Sequence, residues 1–148
     1  MKDWQEIATQ TPTKYTEQLL DSLKSKNYDE VKVGLHEFLR ELEMNNKKAI
    51  KRQLIRLMLH IIKWKIQPQK RSTSWVRSIN DARREIEYIT EDEPKYNEEY
   101  INLLWDRCFE MAQNDAKLEM GIRNLEIKQL DWHEVFAVSY THLTLPTN

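Results

Sequence analysis

The residues with the most useful side-chain chemistry lie close together in the middle of the sequence, between positions 60 and 77. His60, Lys63 and Trp64 are separated by three and four residues, so on a helix they are neighbours on one face. Gln67 and Pro68 follow. The residue before a proline is pushed out of the helical region, so the sequence predicts that this helix ends there.

Trp75 follows this break, at the start of the next helical segment. We expect the chain to fold back at Pro68, so that Trp64 and Trp75 meet beside the His60 imidazole. Buried indoles cover a large apolar area, and each ring N–H then needs a hydrogen-bond partner. The sequence therefore predicts a structural corner, in which the indoles, His60 and Gln67 bond to the exposed backbone groups of the turn.

The same turn also carries the ingredients of an anion site. Hydroxyl and cationic side chains surround the start of the following helix, where backbone N–H groups can bind a phosphate or a carboxylate. The side chains concerned are Lys70, Arg71, Ser72, Thr73, Ser74 and Arg77. This interpretation stays open beside the structural one.

A third interpretation makes the corner part of an enzyme that uses His60, Lys63 and Glu37. Cys108 lies among apolar residues, which indicates a core thiol and not a nucleophile. The histidines lack the neighbouring ligands of a metal motif, so the sequence predicts no metal centre, and it predicts no cofactor. These observations argue against an enzyme.

Charge is distributed unevenly along the chain. The net charge is only −1, yet residues 47–84 contain twelve Lys or Arg and a single acid, Asp81. Such a basic segment could attract nucleic acid or another anionic ligand, with Trp64 or Trp75 stacking on bases. The alternative is neutralisation by acidic neighbours inside the protein, which the sequence pI of about 6.4 favours.

Composition predicts a helical protein. The 148 residues include only 2 Gly and 4 Pro, far fewer than a hairpin-rich β fold needs. Apolar runs are too short for a membrane span of about 20 residues. A chain of this length makes one domain, and we expect residues 1–136 to form it as an all-α, antiparallel bundle of about five helices.

Apolar residues recur at helical spacing in five segments. The expected helices begin at Pro12, at Asp29, near Asn46, at Ser72 or Ser74 and near Lys95, and a short final turn follows Asp131. The junction between the second and third helices is expected at Asn45 and Asn46. The second segment carries Val31, Leu35, Phe38, Leu39 and Leu42 with the helical period, a pattern typical of a packed helix face.

A longer motif includes the corner residues. It consists of Leu57-Met58-Leu59-His60-Ile61-Ile62-Lys63-Trp64-Lys65-Ile66-Gln67-Pro68, then Arg71-Ser72-Thr73-Ser74-Trp75, then Ile79, Arg83 and Ile86. It resembles the signature of the domain-of-unknown-function family twenty-nine, which is widespread in cyanobacteria and proteobacteria, and the likeness spans about residues 28–112. The resemblance implies an all-α domain of about five helices and no known activity.

The end of the chain has a different character. Residues 138–147 resemble the translation, in one frame, of a transposase sequencing adaptor. We therefore expect residues 137–148 to be a non-native tail, and we leave them out of the fold prediction.

By elimination, the sequence favours a non-enzymatic helical interaction module that binds a protein partner or forms a homodimer. Its candidate binding residues are His60, Lys63, Trp64, Gln67, Arg71, Ser72, Ser74, Trp75 and Arg77. The alternatives are binding of nucleic acid or an anionic ligand through residues 47–84, and an enzyme using His60, Lys63 and Glu37. A single cysteine and the lack of a signal-peptide pattern predict a cytoplasmic protein without a membrane partner.

Overall fold

Every regular element of residues 1–141, the part of the chain that the computed structural model describes, is helical. The helices are α1 (Trp4–Ile7), α2 (Pro12–Lys24), α3 (Tyr28–Ile66), α4 (Thr73–Asp92), α5 (Glu98–Met120) and α6 (Trp132–Phe136), with a 3₁₀ turn at Pro68–Lys70 between α3 and α4. The all-α fold class predicted from composition is confirmed. The short α1 has no counterpart among the predicted helices.

Local sequence signals set most of the helix ends. The Thr11 hydroxyl accepts from the Lys14 backbone N–H at 3.2 Å, and this cap begins α2 at the predicted proline. Gly121 ends α5 in the left-handed conformation at φ 66°, which glycine adopts without a steric penalty. Asp131 and Glu134 form a reciprocal capping box at α6.

The expected break at Asn45 and Asn46 is wrong, because α3 continues through it as one helix of 39 residues. The surrounding sequence contains neither glycine nor proline between positions 35 and 67. An asparagine costs only about 0.7 kcal/mol relative to alanine inside a helix. Two such residues do not end the helix, because the residues of the flanking turns have high helix propensity.

The chain divides into two compact units, and the division falls inside α3. Unit 1, Met1–Lys47, is built around Trp4 and Tyr15, whose ring centres are 5.2 Å apart. Glu30 is buried with them and accepts hydrogen bonds from the Trp4 Nε1–H at 3.0 Å and from the Lys2 backbone N–H at 2.7 Å. The Tyr15 hydroxyl donates to the Gly34 carbonyl oxygen.

Unit 2 begins at Lys48 and contains the larger core. The α3 stripe predicted from the sequence is fully buried, and it meets side chains of α4 and α5. The core residues from these helices include Ile50, Leu54, Leu57, Met58, Ile61, Ile62, Ile79, Ala82, Ile86, Ile101, Cys108 and Ala112. The connections from α3 to α4 and from α4 to α5 are short, as is typical of antiparallel neighbours in a helical bundle. The expectation of one domain over residues 1–136 stays a prediction.

Part of the predicted non-native tail belongs to the described structure. Tyr140 packs its ring edge against Trp64 and donates its hydroxyl to the Glu134 carbonyl at 2.9 Å. Residues 142–148, which complete that tail, lie outside the described residues. Within residues 1–141, no helix combines the length and the apolar character needed to cross a membrane.

Candidate functional site

Arg71 closes the turn that follows α3. Its Nε donates to the Trp64 carbonyl oxygen at 2.9 Å, and its guanidinium carbon lies 4.7 Å from the centre of the Trp64 ring. The Gln67 backbone N–H donates to the Lys63 carbonyl at 2.9 Å. These contacts satisfy carbonyls that the end of a helix otherwise leaves without a partner. The chain therefore turns at Pro68 as expected, and Arg71 has a structural role in this turn. The predicted bonding of the indoles and of the Gln67 side chain to the turn stays a prediction.

The two indoles of the corner do not pair with each other. Trp64 is buried and makes an edge contact with Tyr140, with ring centres 5.8 Å apart. Trp75 is half-buried, and the Lys63 Nζ lies 5.0 Å from its ring centre. The prediction that the rings meet beside His60 is wrong, because Arg71 covers Trp64 and the Trp75 ring lies against Lys63.

His60 is a half-buried residue that bonds to its own helix. Its Nδ1 lies 2.8 Å from the Arg56 carbonyl oxygen. Burial is the main cause that lowers the His60 pKa, the bond to Arg56 opposes this, and the charges of Lys63 and Arg56 lower it further. Among the described residues, no group of three or more His, Cys, Asp or Glu is placed to hold a metal ion.

Two of the six groups expected to form an anion site, Arg71 and Ser72, are engaged in the turn itself. The Ser72 hydroxyl accepts from the Trp75 backbone N–H at 3.3 Å, as the N-cap of α4. Arg71 is bound to Trp64, as described above. Ser74 and Arg77 lie exposed on the first turns of α4. Ser72 therefore caps α4 and Arg71 closes the turn, while Lys70 and Thr73 are exposed like Ser74 and Arg77, and the anion site stays a prediction.

Acidic residues of unit 2 form ion pairs with some of the cations of the basic segment, residues 47–84. Lys63 forms an ion pair with Glu119 of α5 at 2.9 Å, and Lys65 forms one with Glu134 of α6. Arg83 donates to the Val135 carbonyl at 2.8 Å, and burial lowers its pKa. Local pairing of this kind reduces the field that a basic segment projects into solvent.

A cleft of about 340 Å³ lies between α4, α5 and α6. Its apolar side consists of Ile86, Ile101, Trp132 and Phe136. The two rings are 4.3 Å apart, and Trp132 also stacks on Trp105. None of the candidate residues of the corner lines this cleft, but Arg83 and Ile86 of the longer motif do, and the capping signal at Asp131 predicted the start of α6, which supplies Trp132 and Phe136.

An exposed apolar face of unit 1 lies on the first half of α3. Tyr28, Leu35, Leu39 and Leu42 are 63%, 53%, 54% and 46% exposed. A groove of about 470 Å³ runs along this face, between residues 28 and 39. We call the face the α3 seam and define it as Tyr28, Lys32, Leu35, Leu39, Leu42 and Asn46.

The apolar period of this segment is visible in the sequence, where it predicts a packed helix face. Phe38 does pack, with its ring 5.3 Å from that of Tyr15. Leu35 and Leu42 lie three and four residues from Phe38 and are its neighbours on the helix surface, but they and Leu39 stay about half exposed. The period alone could not have separated the packed residue from its exposed neighbours.

Residues 10–137 match the family described as Domain of unknown function DUF29. The chain belongs to this family. The match includes both the corner after α3 and the α3 seam, and it confirms the resemblance drawn from the corner motif. The family description gives no activity. No curated protein and no solved structure matches the chain.

Proposed function

We propose that this chain is a non-enzymatic helical interaction module and that the α3 seam is the face with which it binds a helix of a protein partner. The observation that carries the proposal is the row of large apolar side chains, each about half exposed, along more than three turns of one helix. Single exposed apolar residues are ordinary on protein surfaces, but contiguous ones mark interaction sites.

The dimensions of the seam suit an α-helix. From Tyr28 to Asn46 it extends roughly 27 Å at the helical rise of about 1.5 Å per residue. A helix bound in a groove is held by anchors spaced at three, four and seven residues. The apolar side chains of the seam have this spacing, with Leu35 at the centre, Leu39 four residues later and Leu42 seven residues later.

The size of unit 1 also supports the proposal. A unit of 47 residues is small for a hydrophobic core that must stabilise it alone. Trp4 and Tyr15 contact α3 at Gly34, and this packing leaves Leu35, Leu39 and Leu42 about half exposed. Covering the seam would remove further apolar surface from water, at roughly 25 cal/mol for each Å².

The alternatives receive less support from the geometry. An enzyme would have to combine Glu37 with His60, but Glu37 forms an ion pair with Arg40 at 3.1 Å, and His60 bonds to its own helix. Lys63 is held by Glu119. Ion pairs with Glu119 and Glu134 neutralise part of the basic segment. We also infer a cytoplasmic location, because the single cysteine, Cys108, is buried and free.

Site-specific photocrosslinking in living bacterial cells tests the proposal. A benzophenone amino acid replaces Leu39 in one version of the full chain and Leu118 in another. Leu118 is a matched control, because it is 82% exposed on α5 but lies outside the seam. We expect an adduct from position 39 that mass spectrometry identifies as one defined protein chain, and little from position 118.

A second variant shows whether the adduct depends on the seam. Leu35→Glu adds a charge one turn from position 39 and should abolish the adduct, while the helix content in circular dichroism stays unchanged. Equal labelling from positions 39 and 118 would overturn the proposal. So would an adduct at position 39 that survives Leu35→Glu.

A further inference from the structure

The α3 seam has the pattern of a short coiled coil. Its residues alternate at spacings of four and three, so that Tyr28, Leu35 and Leu42 occupy one type of core position and Lys32, Leu39 and Asn46 the other. The apolar residues lie at the centre, and the polar ones lie toward the two ends. A polar residue at a single core position commonly fixes the register and orientation of such helices.

We propose that the α3 seam binds the same seam of a second copy of this chain, in antiparallel orientation, with the two-fold axis at the level of residue 37. This inference rests on the proposed function, since it names the partner of that face. In this register Leu35 lies opposite Leu39 of the second copy, and the symmetry repeats the contact. A two-fold interface of this kind is closed, so it produces a dimer and no larger assembly.

The residues farther from the two-fold axis also fit one another in this arrangement. Lys32 lies opposite Leu42 of the second copy, where its aliphatic stem covers the leucine and its ammonium reaches solvent. Tyr28 lies opposite Asn46, so a phenolic hydroxyl meets an amide that can both donate and accept. Reversal of the seam therefore brings the central leucines together and places the polar end residues opposite each other, with the Lys32 stem against Leu42.

Lys32 selects the antiparallel orientation. In a parallel, in-register pair, the two Lys32 side chains would occupy the same core layer, and their charges would repel. The antiparallel pair separates them by about 15 Å along the axis, from the rise of about 1.5 Å per residue. The same self-complementarity favours a second copy over an unrelated helix, which would have to match both the apolar centre and the polar ends.

Sedimentation velocity of the full chain tests the association. The seam is short, so we expect a dissociation constant on the order of 10–100 µM, with the mean mass rising from one chain to two between about 1 and 500 µM. Leu39→Asp should weaken the dimer at least tenfold. The matched control Leu118→Asp should leave it unchanged, and circular dichroism should show both variants as helical as the parent.

Disulfide trapping tests the orientation. Tyr28→Cys and Asn46→Cys are made separately in a Cys108→Ala background and mixed under mild oxidation. We expect the mixture to form a disulfide between the two variants, and each variant alone to form little. Efficient self-crosslinking of Tyr28→Cys alone would show a parallel pair and overturn the inference.

The results distinguish the two proposals. A chain that stays monomeric up to about 500 µM, but whose position 39 crosslinks to a different protein, overturns the second copy as occupant and leaves the interaction module standing. A monomeric chain without a specific adduct at position 39 overturns both. Dimerisation that Leu39→Asp leaves intact places the interface elsewhere and also overturns this inference.

Discussion

Gly34 provides the most direct test of how unit 1 is packed. It lies in α3 on the side that faces Trp4 and Leu19, and it is buried. A Cβ atom added at this position would lie 2.6 Å from Leu19 Cδ2 and 2.9 Å from two carbons of the Trp4 ring. Ordinary carbon contacts are about 3.5–4.0 Å, so Gly34→Ala forces both side chains to move.

The expected loss of stability follows from two opposing effects. Alanine is better than glycine in a helix interior by about 1 kcal/mol. Overpacking of a buried site costs about 1–3 kcal/mol, and the upper part of this range applies because the Trp4 ring is fixed by its hydrogen bond to Glu30. The Leu19 methyl group can rotate away, but the indole cannot. We therefore expect Gly34→Ala to lower the free energy of unfolding by about 1–2 kcal/mol.

Urea unfolding followed by circular dichroism measures this change, and hydrogen exchange of peptides from residues 1–47 locates it in unit 1. Val33→Ala is the matched control, because Val33 is the preceding residue and is 43% exposed. It should stabilise the chain by a few tenths of a kcal/mol through helix propensity alone. A Gly34→Ala variant as stable as Val33→Ala, or more stable than the parent, would refute the close packing of Trp4 on α3.

Three further predictions concern unit 2. Burial keeps the His60 pKa below 6.5 in the folded chain, so the unfolded chain binds the proton first as the pH falls. The free energy of unfolding should therefore decrease between about pH 7 and pH 5. Urea titrations should show a weaker pH dependence for His60→Gln, and an unchanged pH dependence would contradict this prediction. Burial raises the pKa of the Cys108 thiol. At pH 8 a thiol reagent should therefore react with the folded chain at least about 100-fold more slowly than with the chain in denaturant. Equal rates would show that the thiol is accessible to solvent in the folded chain. Because the Lys63 ammonium is paired with Glu119, fluorescence anisotropy with labelled single-stranded DNA should show binding weaker than about 10 µM at about 50 mM salt. Tighter binding that falls steeply as salt is added would argue for a nucleic-acid surface.

The sequence was sufficient wherever the deciding interaction is local. Thr11 and Pro12 begin α2, Gly121 ends α5 and Asp131 begins α6. For α4 the sequence left Ser72 and Ser74 open, and the structure uses Ser72. Each assignment depends on a side chain and backbone groups within a few residues, so a single segment contains all the information. The apolar stripe of α3 in unit 2 could be predicted equally well, because its apolar residues are dense enough to require burial.

The candidate site depended on contacts that the sequence does not contain. Whether Trp64 met Trp75 was decided by Arg71, whose guanidinium lies over the Trp64 ring, and by Lys63, which lies over Trp75. Sequence spacing limits which groups are near a turn, but it does not decide which of them fills a given space. The lowered pKa of His60 likewise comes from burial by its surroundings.

By itself, the sequence determined that the chain is helical, where most helices begin and end, and which residues of α3 join the core after Lys48. Only the tertiary structure decided that α3 continues through Asn45 and Asn46 and that Leu35 and Leu39 stay half exposed. The reason is physical: a helical period shows that one side of a helix is apolar, but packing alone decides what covers it. The uncovered side of α3 is for that reason the surface from which a partner is proposed.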